Sequence, residues 1–420
     1  MMSNEKNDRC VFQGGSGRRQ FLKGLMAGGL AAALGPAKTL FSGVEETIRR
    51  TVKNGMAYRR LGRTGIEISE ISLGGSPLPG GDLFYQVLDR GVNYIDTSHN
   101  YEGGNSERRI GRMFRDRGRE AVHVCTKFHV RGKWDEASII RSVEGSLRRL
   151  ETDYVDVLAV HGAENAADLD DERVLSAFAR LRDQGKFRFT GLSCHANHAA
   201  VVEKAVACGY YDVITLAYNV FDGQPAEKST AVFGDYLGES GIGRLIALAK
   251  TKNIGVIAMK VLKSGGRQQD LARYQTETST LPQAMIRWVL DNPHVDSVVT
   301  EIQSFQEMEE DLAAAGSPIG TAEREILARH VADNRRNYCH ACAVCRGVCP
   351  AGVDTTSILR FLTYAETYGK TTVAREAYRS LDGKQTVAAC RDCGACEEAC
   401  LYGLPVRAKL RQAHGLLSRA

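Results

Sequence analysis

From Met56 onward, short apolar segments alternate with stretches in which apolar residues recur at helical spacing. Such alternation of buried strands with amphipathic helices is typical of a parallel α/β architecture. Strands are predicted at residues 69–74, 94–98, 122–127, 155–160, 187–192, 212–217, 255–260 and 295–300. Eight strand–helix pairs predict a (β/α)₈ TIM barrel over residues 56–320.

Two kinds of segment complete the predicted barrel. Residues 58–68, with a turn at Arg63-Thr64-Gly65, predict a hairpin that closes the barrel floor. Residues 136–150 and 171–184 show the apolar spacing of the helices that lie between the strands.

Polar side chains stand at the ends of three successive predicted strands or just beyond them: Asp96, Tyr101, Lys127 and His161. The carboxyl ends of parallel barrel strands open onto one face, so we expect these side chains to meet there. A phenol with a pKa near 10 is a poor proton donor at neutral pH, and a neighbouring ammonium lowers that pKa. A carboxylate can hold the ammonium, and an imidazole can hydrogen-bond a substrate oxygen. Together these groups can protonate a carbonyl oxygen while a hydride attacks the carbon.

The segment around Asp96-Thr97, Tyr101 and Ser106-Glu107 resembles the aldo-keto reductase family, and the resemblance extends from about Tyr58 to Gly316. It implies hydride transfer between a nicotinamide nucleotide and a small-molecule carbonyl or alcohol. It also implies that the catalytic tetrad is Asp96, Tyr101, Lys127 and His161. A chance set of polar residues at a barrel rim is the alternative, and four residues in the family order argue against it.

The resemblance also implies cofactor contacts at four later positions: Ser193, Thr215, Met259 and Ser304. Ser193 would hold the nicotinamide carboxamide, and Ser304 would meet a phosphate at a helix N-terminus. Thr215 replaces a family glutamine, and Met259 replaces an aromatic residue that stacks on the nicotinamide. A purely structural role is an equal alternative for these two residues.

The last barrel loop departs from the family pattern where the adenosine phosphate would bind. The usual Pro-Gly pair is missing, and Glu307 and Asp311 stand where Gln and Asn are expected. No Lys or Arg occurs between Val295 and Gly316, although a 2′-phosphate requires cationic partners. The sequence therefore favours an NAD-like nucleotide over NADP, with no nucleotide as the alternative.

The amino-terminal segment carries much of the positive charge. The chain of 420 residues has a formal net charge of +5, and the leader through Ala37 contributes +3 of it, with five basic and two acidic residues. The remaining +2 gives no argument for nucleic-acid binding.

Arg18-Arg19 in the leader precede an apolar run over residues 24–34, and Gly35-Pro36-Ala37 offer a cleavage site. This run is too short to span a bilayer, which needs about 20 residues. It resembles a twin-arginine (Tat) export signal, so residues 1–45 are interpreted as signal and linker, and a periplasmic or otherwise exported location is predicted. An uncleaved membrane anchor and a basic disordered tail are the alternatives.

Eight of the twelve cysteines follow residue 338, in two runs of identical spacing. The Cys-x₂-Cys-x₂-Cys-x₃-Cys pattern is that of bacterial ferredoxins, in which the fourth cysteine of each run binds the cluster of the other run. Two [4Fe–4S] clusters are predicted, with zinc or disulfides as disfavoured alternatives. The predicted ligands are Cys339, Cys342, Cys345, Cys349, Cys390, Cys393, Cys396 and Cys400.

The spacer between the cysteine runs shows helical patterns at residues 356–366 and 372–381, so residues 321–420 resemble a mostly α-helical ferredoxin-like domain. His195 and His198 follow the fifth strand and could line the pocket, but a position on the loop surface is preferred for both, and His340 is interpreted as a solvated residue.

The combined prediction is an exported aldo-keto reductase-like oxidoreductase coupled to electron transfer through two [4Fe–4S] clusters. Its expected partners are a small carbonyl or alcohol substrate, a redox partner protein and the Tat export machinery. The alternative is a non-catalytic electron-transfer or ligand-binding protein on a barrel scaffold.

Overall fold

The computed structural model describes residues 48–130, 134–223, 241–262 and 271–419, and the predicted leader lies outside these ranges. The strands are β1 (Thr51–Lys53), β2 (Met56–Arg60), β3 (Glu67–Ser69), β4 (Ile71–Gly74), β5 (Tyr94–Asp96), β6 (His123–Phe128), β7 (Val155–Val160), β8 (Phe187–Cys194), β9 (Val213–Ala217), β10 (Gly255–Met259) and β11 (Ser297–Thr300). The helices are α1 (Gly81–Asp89), α2 (Asn105–Arg117), α3 (Glu136–Leu150), α4 (Glu172–Asp183), α5 (His198–Cys208), α6 (Ile242–Lys250), α7 (Leu281–Leu290), α8 (Phe305–Leu312), α9 (Thr321–Asn334), α10 (Thr355–Glu366), α11 (Thr371–Arg379), α12 (Ala395–Glu398) and α13 (Val406–Leu417).

Strands β4 to β11 form a closed parallel barrel in chain order, which confirms the predicted (β/α)₈ architecture and all eight predicted strands. Each strand is covered by the barrel interior on one side and by helices on the other, so its residues are buried on both faces. The VDVLAV segment of β7 is buried at every position, including Asp156. That carboxylate accepts a hydrogen bond at 2.9 Å from the Val124 amide and pairs with Arg119 at 2.7 Å.

A three-stranded antiparallel sheet, β1–β2–β3, closes the amino-terminal end of the barrel. The predicted hairpin is confirmed as β2 and β3, whereas β1 was missed because its exposed residues carry no apolar pattern. Leu61, Ile66 and Ile68 pack with barrel-interior residues such as Tyr94 and Ile257. With this end filled, only the carboxyl ends of the strands can form a ligand site.

The carboxyl-terminal region is mostly helical and has a hydrophobic core of its own, built from α10, α11 and α13. The two helices predicted in the cysteine spacer are confirmed as α10 and α11. Helix α9, which follows the predicted boundary at residue 320, contributes Ile326, Leu327 and Val331 to the barrel core instead.

Polar contacts join this carboxyl-terminal region to loops that follow four different barrel strands. Lys370 pairs at 2.6 Å with Glu301 after β11, and it also donates to the Ser76 carbonyl after β4. Arg360 pairs with Glu164 after β7. The Tyr364 hydroxyl accepts a hydrogen bond from Lys260, which follows β10. These contacts hold α10 and the start of α11 across the mouth of the barrel. Within the described ranges, none of the helices combines the length and apolarity needed to cross a membrane.

Candidate active site

The four predicted catalytic side chains converge at the carboxyl end of the barrel. Asp96 ends β5, Lys127 lies near the end of β6, and His161 directly follows β7. The Lys127 ammonium donates to Asp96 Oδ1 at 2.5 Å and to the Thr97 carbonyl at 2.7 Å. It also lies 5.1 Å from the centroid of the Tyr101 ring. The carboxylate and the carbonyl therefore fix the ammonium beside the phenol.

His161 completes the group and contacts Tyr101 through its Nε2 atom. Its Nε2 lies 3.5 Å from the Tyr101 hydroxyl, and its Nδ1 lies 3.0 Å from Ser98 Oγ. The Ser98 contact orients the imidazole, so that Nε2 and the phenol point to the same place. A substrate oxygen there could contact both groups.

The Ser106-Glu107 motif forms hydrogen bonds with residues next to Asp96 and Lys127. Ser106 Oγ lies 2.7 Å from Thr97 Oγ1, next to Asp96. Glu107, fully buried at the start of α2, accepts from Thr126 Oγ1 at 2.6 Å and from Arg149 Nε at 2.7 Å. These bonds tie α2 to β5 and β6, and the motif therefore has a positioning role.

Burial dominates the electrostatics of Tyr101. Burial raises its pKa; Lys127 opposes that effect, while Asp96, Tyr364 and Glu301 reinforce it, and the resulting pKa is about 12. The Lys127 ammonium lowers this pKa as expected, but the loss of solvation outweighs the attraction of one nearby cation. The phenol keeps its proton over the physiological range and is available as an acid.

The two nitrogen bases of the tetrad are shifted in opposite directions. Burial lowers the pKa of His161 well below its usual value, and Lys127 and His129 lower it further, so the imidazole is neutral at pH 7. Burial would also lower the pKa of Lys127, but Asp96 and Tyr101 more than offset it and the pKa is raised. Lys127 is therefore a stable cation, and His161 is a neutral hydrogen-bonding group.

These shifts predict the pH dependence of turnover. Because the pKa of His161 is depressed, the imidazole stays neutral as the pH falls through about 6.5, the ordinary histidine value. Because the pKa of Tyr101 is raised, the acid keeps its proton as the pH rises through about 9. We expect kcat/KM to show no inflection from either group between these limits, measured across the range in constant ionic strength. An inflection near pH 6.5 that disappears in His161→Asn would contradict this expectation.

Two histidines of the site were missed by the sequence analysis. The ring of His129 stacks on that of His161, with centroids 4.2 Å apart, and His99 Nδ1 lies 2.9 Å from the Lys127 carbonyl oxygen. Both histidines follow a strand end and lie within three residues of a predicted catalytic side chain. This position in the sequence could have indicated that they belong to the site.

The residues predicted to hold the nicotinamide lie at adjacent strand ends. Ser193 and Thr215 are paired across β8 and β9, and both are buried. Ser193 Oγ already accepts from the Gly162 amide at 2.9 Å, which leaves its hydroxyl proton free to donate elsewhere. Met259 is half-buried at the end of β10.

Ser304 is placed apart from these residues, after β11. Its hydroxyl accepts from the Glu307 amide at 3.1 Å and caps α8. The Glu307 carboxylate returns to accept from the Gln303 amide at 2.6 Å. An acidic side chain thus occupies the helix terminus where a phosphate was expected.

Helix α10 brings a second phenol to the mouth of the barrel. Lys260, which follows β10, donates to the Tyr364 hydroxyl at 3.1 Å, and its ammonium lies 4.7 Å from the centroid of that ring. Burial would raise the pKa of Tyr364, but Lys260, Arg360 and Lys370 lower it below its usual value. The backbone of Lys260 is left-handed, with φ of 58°, a strained conformation that clusters at functional sites.

Three histidines interpreted as surface residues are instead enclosed. His198 is 4% exposed and His340 is 8% exposed. The ring of His340 stacks on that of Tyr402, with centroids 3.7 Å apart. His195 lines a cavity beneath α10. For His195 the surface assignment failed because the carboxyl-terminal residues Tyr364 and Tyr368 form the other wall of its cavity.

The two cysteine runs have the same local structure. In each run the second cysteine is exposed, the third is buried, and the first and fourth are intermediate. The amide two residues after the first cysteine donates to its sulfur at 3.4 Å, from Ala341 to Cys339 and from Asp392 to Cys390. Positive φ angles occur at matching positions of the two runs, at Ala341 and Ala343 in the first and at Asp392 and Gly394 in the second. Equal spacing has therefore produced equal loops.

Four thiols line one cavity, and they come from both runs: Cys339, Cys342 and Cys345 with Cys400. In the second run, Cys396 is close enough to Cys345 and Cys349 of the first run, and to Cys390, to affect its ionisation. Among the described residues, no three His, Cys, Asp or Glu side chains converge to hold a metal ion. A cubane binds each thiolate through a different iron, so its ligands surround a volume and do not meet at one ion.

A parallel barrel with a phenol, a buried ammonium–carboxylate pair and a neutral imidazole at its mouth has the groups of a carbonyl oxidoreductase. The model described as the aldo/keto reductase family matches residues 82–331, more than half of the chain, and the chain belongs to this family. The chain is thus an oxidoreductase. The match ends before the first clustered cysteine.

Similar proteins are found in bacteria and plants. The chain is 25% identical over 299 residues to the uncharacterized oxidoreductase YqkF of Bacillus subtilis, across 65% of this chain and 95% of that protein. It is also 25% identical over 299 residues to L-galactose dehydrogenase of Arabidopsis thaliana, across 61% and 87% of the two chains.

Solved structures share the fold. Aldo-keto reductase AKR11C1 from Bacillus halodurans, in its holo form, is 21% identical with a TM-score of 0.53, across 66% of this chain and 96% of that one. An aldo-keto reductase from Klebsiella pneumoniae in complex with NADPH is 21% identical with a TM-score of 0.50, across 65% and 94% of the two chains.

Proposed function

We propose that this protein is an exported oxidoreductase that interconverts a small carbonyl compound and its alcohol, and that its carboxyl-terminal region holds two [4Fe–4S] clusters. The observation that carries the catalytic part is that two groups lie beside Tyr101: the Lys127 ammonium, 5.1 Å from the ring centroid, and His161 Nε2, 3.5 Å from the hydroxyl. In the direction of reduction, the carbonyl oxygen accepts hydrogen bonds from the phenol and the imidazole. The carbonyl carbon gains a hydride, and its oxygen takes the Tyr101 proton, which forms the alcohol.

Each of the supporting residues has a defined part in that proton transfer. The Lys127 cation stabilises the phenolate that remains on Tyr101 until solvent returns a proton. Asp96 holds Lys127 in place at 2.5 Å. His161, held neutral by burial, orients the substrate oxygen without competing for the proton. Alcohol oxidation is the same sequence reversed.

A nicotinamide nucleotide, when bound, supplies or accepts the hydride. Ser193, Thr215 and Met259 are the residues that would hold its nicotinamide end. The first turn of α8 carries Glu307, and Glu309 and Glu310 follow on the same helix, so a 2′-phosphate would meet repulsion there. We infer that any nucleotide is NAD-like and lacks that phosphate.

Iron–sulfur clusters, when bound, supply one-electron transfer. Three observations support them: the repeated spacing, the matched loops of the two runs, and the cavity lined by three thiols of one run and the fourth thiol of the other. Cys339, Cys342, Cys345 and Cys400 would hold one cluster. The other would be held by Cys390, Cys393, Cys396 and Cys349.

Export through the twin-arginine pathway is proposed from the leader sequence, whose residues lie outside the described ranges. That pathway carries folded proteins, so metal centres assembled beforehand could travel with the chain. An exported enzyme meets little free nucleotide, and its electrons would then come from a redox partner protein.

The test is reduction of a panel of small aldehydes and ketones by the full-length, anaerobically purified protein. We expect multiple turnovers with a reduced viologen dye as the electron donor. We also expect mild denaturation to release an NAD-like nucleotide, because the carbonyl carbon needs a two-electron hydride donor and the clusters supply single electrons. A Cys393→Ser variant should lose dye-driven turnover. Rapid turnover of that variant with freely added NADPH would contradict the proposal and indicate an ordinary soluble reductase.

A further inference from the structure

A cavity lies between the barrel mouth and α10, separate from the tetrad itself. The barrel contributes Lys260, His195 and Asn219 to its wall, and the carboxyl-terminal region contributes Tyr364, Tyr368 and Cys339. The cavity is therefore built only when the two parts of the chain pack together. Its chemistry belongs to neither part alone.

Lys260 provides a positive charge to this cavity without an acidic partner among the described residues. Its ammonium contacts the Tyr364 hydroxyl and ring, and no carboxylate within the described ranges pairs with it. Arg360 on the same wall differs, because Glu164 neutralises it. Lys260 is half-buried, and Asp222 lines the same cavity without forming an ion pair with it. Partial burial of a cation without a counter-charge costs free energy, and a ligand that brings a negative group recovers it.

Two further polar atoms in the cavity wall lack partners. His195 Nδ1 and the Tyr368 hydroxyl are both buried, and neither has a hydrogen-bond partner among the described residues. Buried polar atoms are nearly always hydrogen-bonded, so two such atoms beside an unpaired ammonium indicate a polar ligand. His195 can present a donor or an acceptor, depending on its tautomer, and Tyr368 can donate.

The cavity is electrostatically connected to the tetrad. Tyr364 lies close enough to Tyr101 to raise the pKa of that phenol, and the His195 and His161 rings have centroids 6.2 Å apart. A ligand whose carbonyl contacts Tyr101 could therefore extend a second group toward Lys260. The ligand must therefore contact Tyr101 with one group and reach Lys260 with another. A substrate can do both, whereas a nucleotide phosphate would lie away from the reacting carbon.

We propose that the cavity beneath α10 binds the carboxylate of the substrate, with Lys260 as its ion-pair partner and His195 and Tyr368 as hydrogen-bonding groups. The preferred substrates are then carbonyl compounds, or the matching alcohols, that carry a carboxylate. The identification of the ligand as a substrate rests on the proposed carbonyl chemistry. The carboxylate-binding site itself does not depend on that chemistry.

The experiment compares acids with their uncharged esters on the full-length protein purified with its metal. Calorimetry would measure the binding of 4-carboxybenzaldehyde and succinic semialdehyde, each against its methyl ester. We expect at least one acid to bind about 10- to 100-fold more tightly than its ester, because a hydrogen bond to a charged group is worth about 1.5–3 kcal/mol. Lys260→Met should remove this preference, and Lys260→Arg should retain part of it.

Lys252→Met is the matched control, because Lys252 is an exposed lysine on the loop before β10 and should leave the preference unchanged. Thermal melting and iron content of each variant separate loss of folding from loss of binding. Two results would overturn the proposal: a preference for acids that survives in Lys260→Met, or equal binding of acids and esters by the unmodified protein. A third would be Lys260→Met weakening the binding of NADH and leaving the acid preference intact, which assigns the ammonium to a nucleotide phosphate.

The same measurements separate this inference from the proposed function. Charge-selective binding that depends on Lys260, without turnover by any electron donor, would support the site and contradict the oxidoreductase chemistry. Turnover of acids and esters with the same KM would support the chemistry and contradict the site.

Discussion

Replacing Tyr101 with phenylalanine is expected to reduce carbonyl turnover by ~10²–10⁴-fold, the usual contribution of a positioned general acid. The phenylalanine ring would keep the packing against His161, whose ring meets that of Tyr101 edge to face with centroids 5.5 Å apart. Only the proton and its hydrogen bond are removed. Single-turnover reduction would measure the chemical step, and titration with NADH would show nucleotide affinity nearly unchanged.

Tyr154→Phe is the matched control for that experiment. Its hydroxyl donates to Glu120 at 2.6 Å on the barrel surface, so its removal should change neither turnover nor nucleotide binding. Unchanged turnover in Tyr101→Phe would remove the phenol from the mechanism. A loss of folding, detected by thermal melting, would be distinguished by a parallel fall in nucleotide binding.

Metal analysis of anaerobically purified protein is expected to give about eight irons and eight acid-labile sulfides per chain, as two cubanes on eight thiolates require. Cys345→Ser and Cys396→Ser change the two buried cysteines, one in each run. Each should lower the iron content to about four. Because we propose that the fourth cysteine of each run binds the cluster of the other run, Cys400→Ser should remove the same cluster signal as Cys345→Ser, as seen by electron paramagnetic resonance.

Cys208→Ser is the control, since this half-buried thiol lies on α5 of the barrel, outside both runs. Its iron content should equal that of the unmodified protein. Zinc in place of iron, or an equal loss of iron from Cys208→Ser and Cys345→Ser, would contradict the assignment of the eight ligands.

Placement of α10 across the barrel mouth gives the site its enclosed character. The Lys127–Asp96 pair and the neutral His161 interact in surroundings from which water is largely displaced, where electrostatic effects are stronger. The contacts that hold α10 there include the ion pairs of Arg360 with Glu164 and Lys370 with Glu301. A substrate must therefore enter past the carboxyl-terminal region or move with it.

The sequence by itself determined the barrel and grouped the four side chains of the predicted tetrad. Strands that are buried on both faces appear in the sequence as continuous apolar runs. The last residue of each run can therefore be identified directly from the sequence. Parallel strands bring such ends together whatever the details of packing, which is why Asp96, Lys127 and His161 could be grouped before any coordinates. The two cysteine runs could also be recognised from the sequence, because the pattern depends only on the spacing of nearby residues.

Only the tertiary structure decided what surrounds those residues. Tyr364 and Lys260 are separated by 104 positions, and no periodicity in either segment indicates that they meet. The pKa of Tyr101 rises because the mouth is covered, and the enclosure of His195 and His340 has the same cause. Burial depends on which distant surfaces pack together, so the enclosure of the site had to be observed in the folded chain.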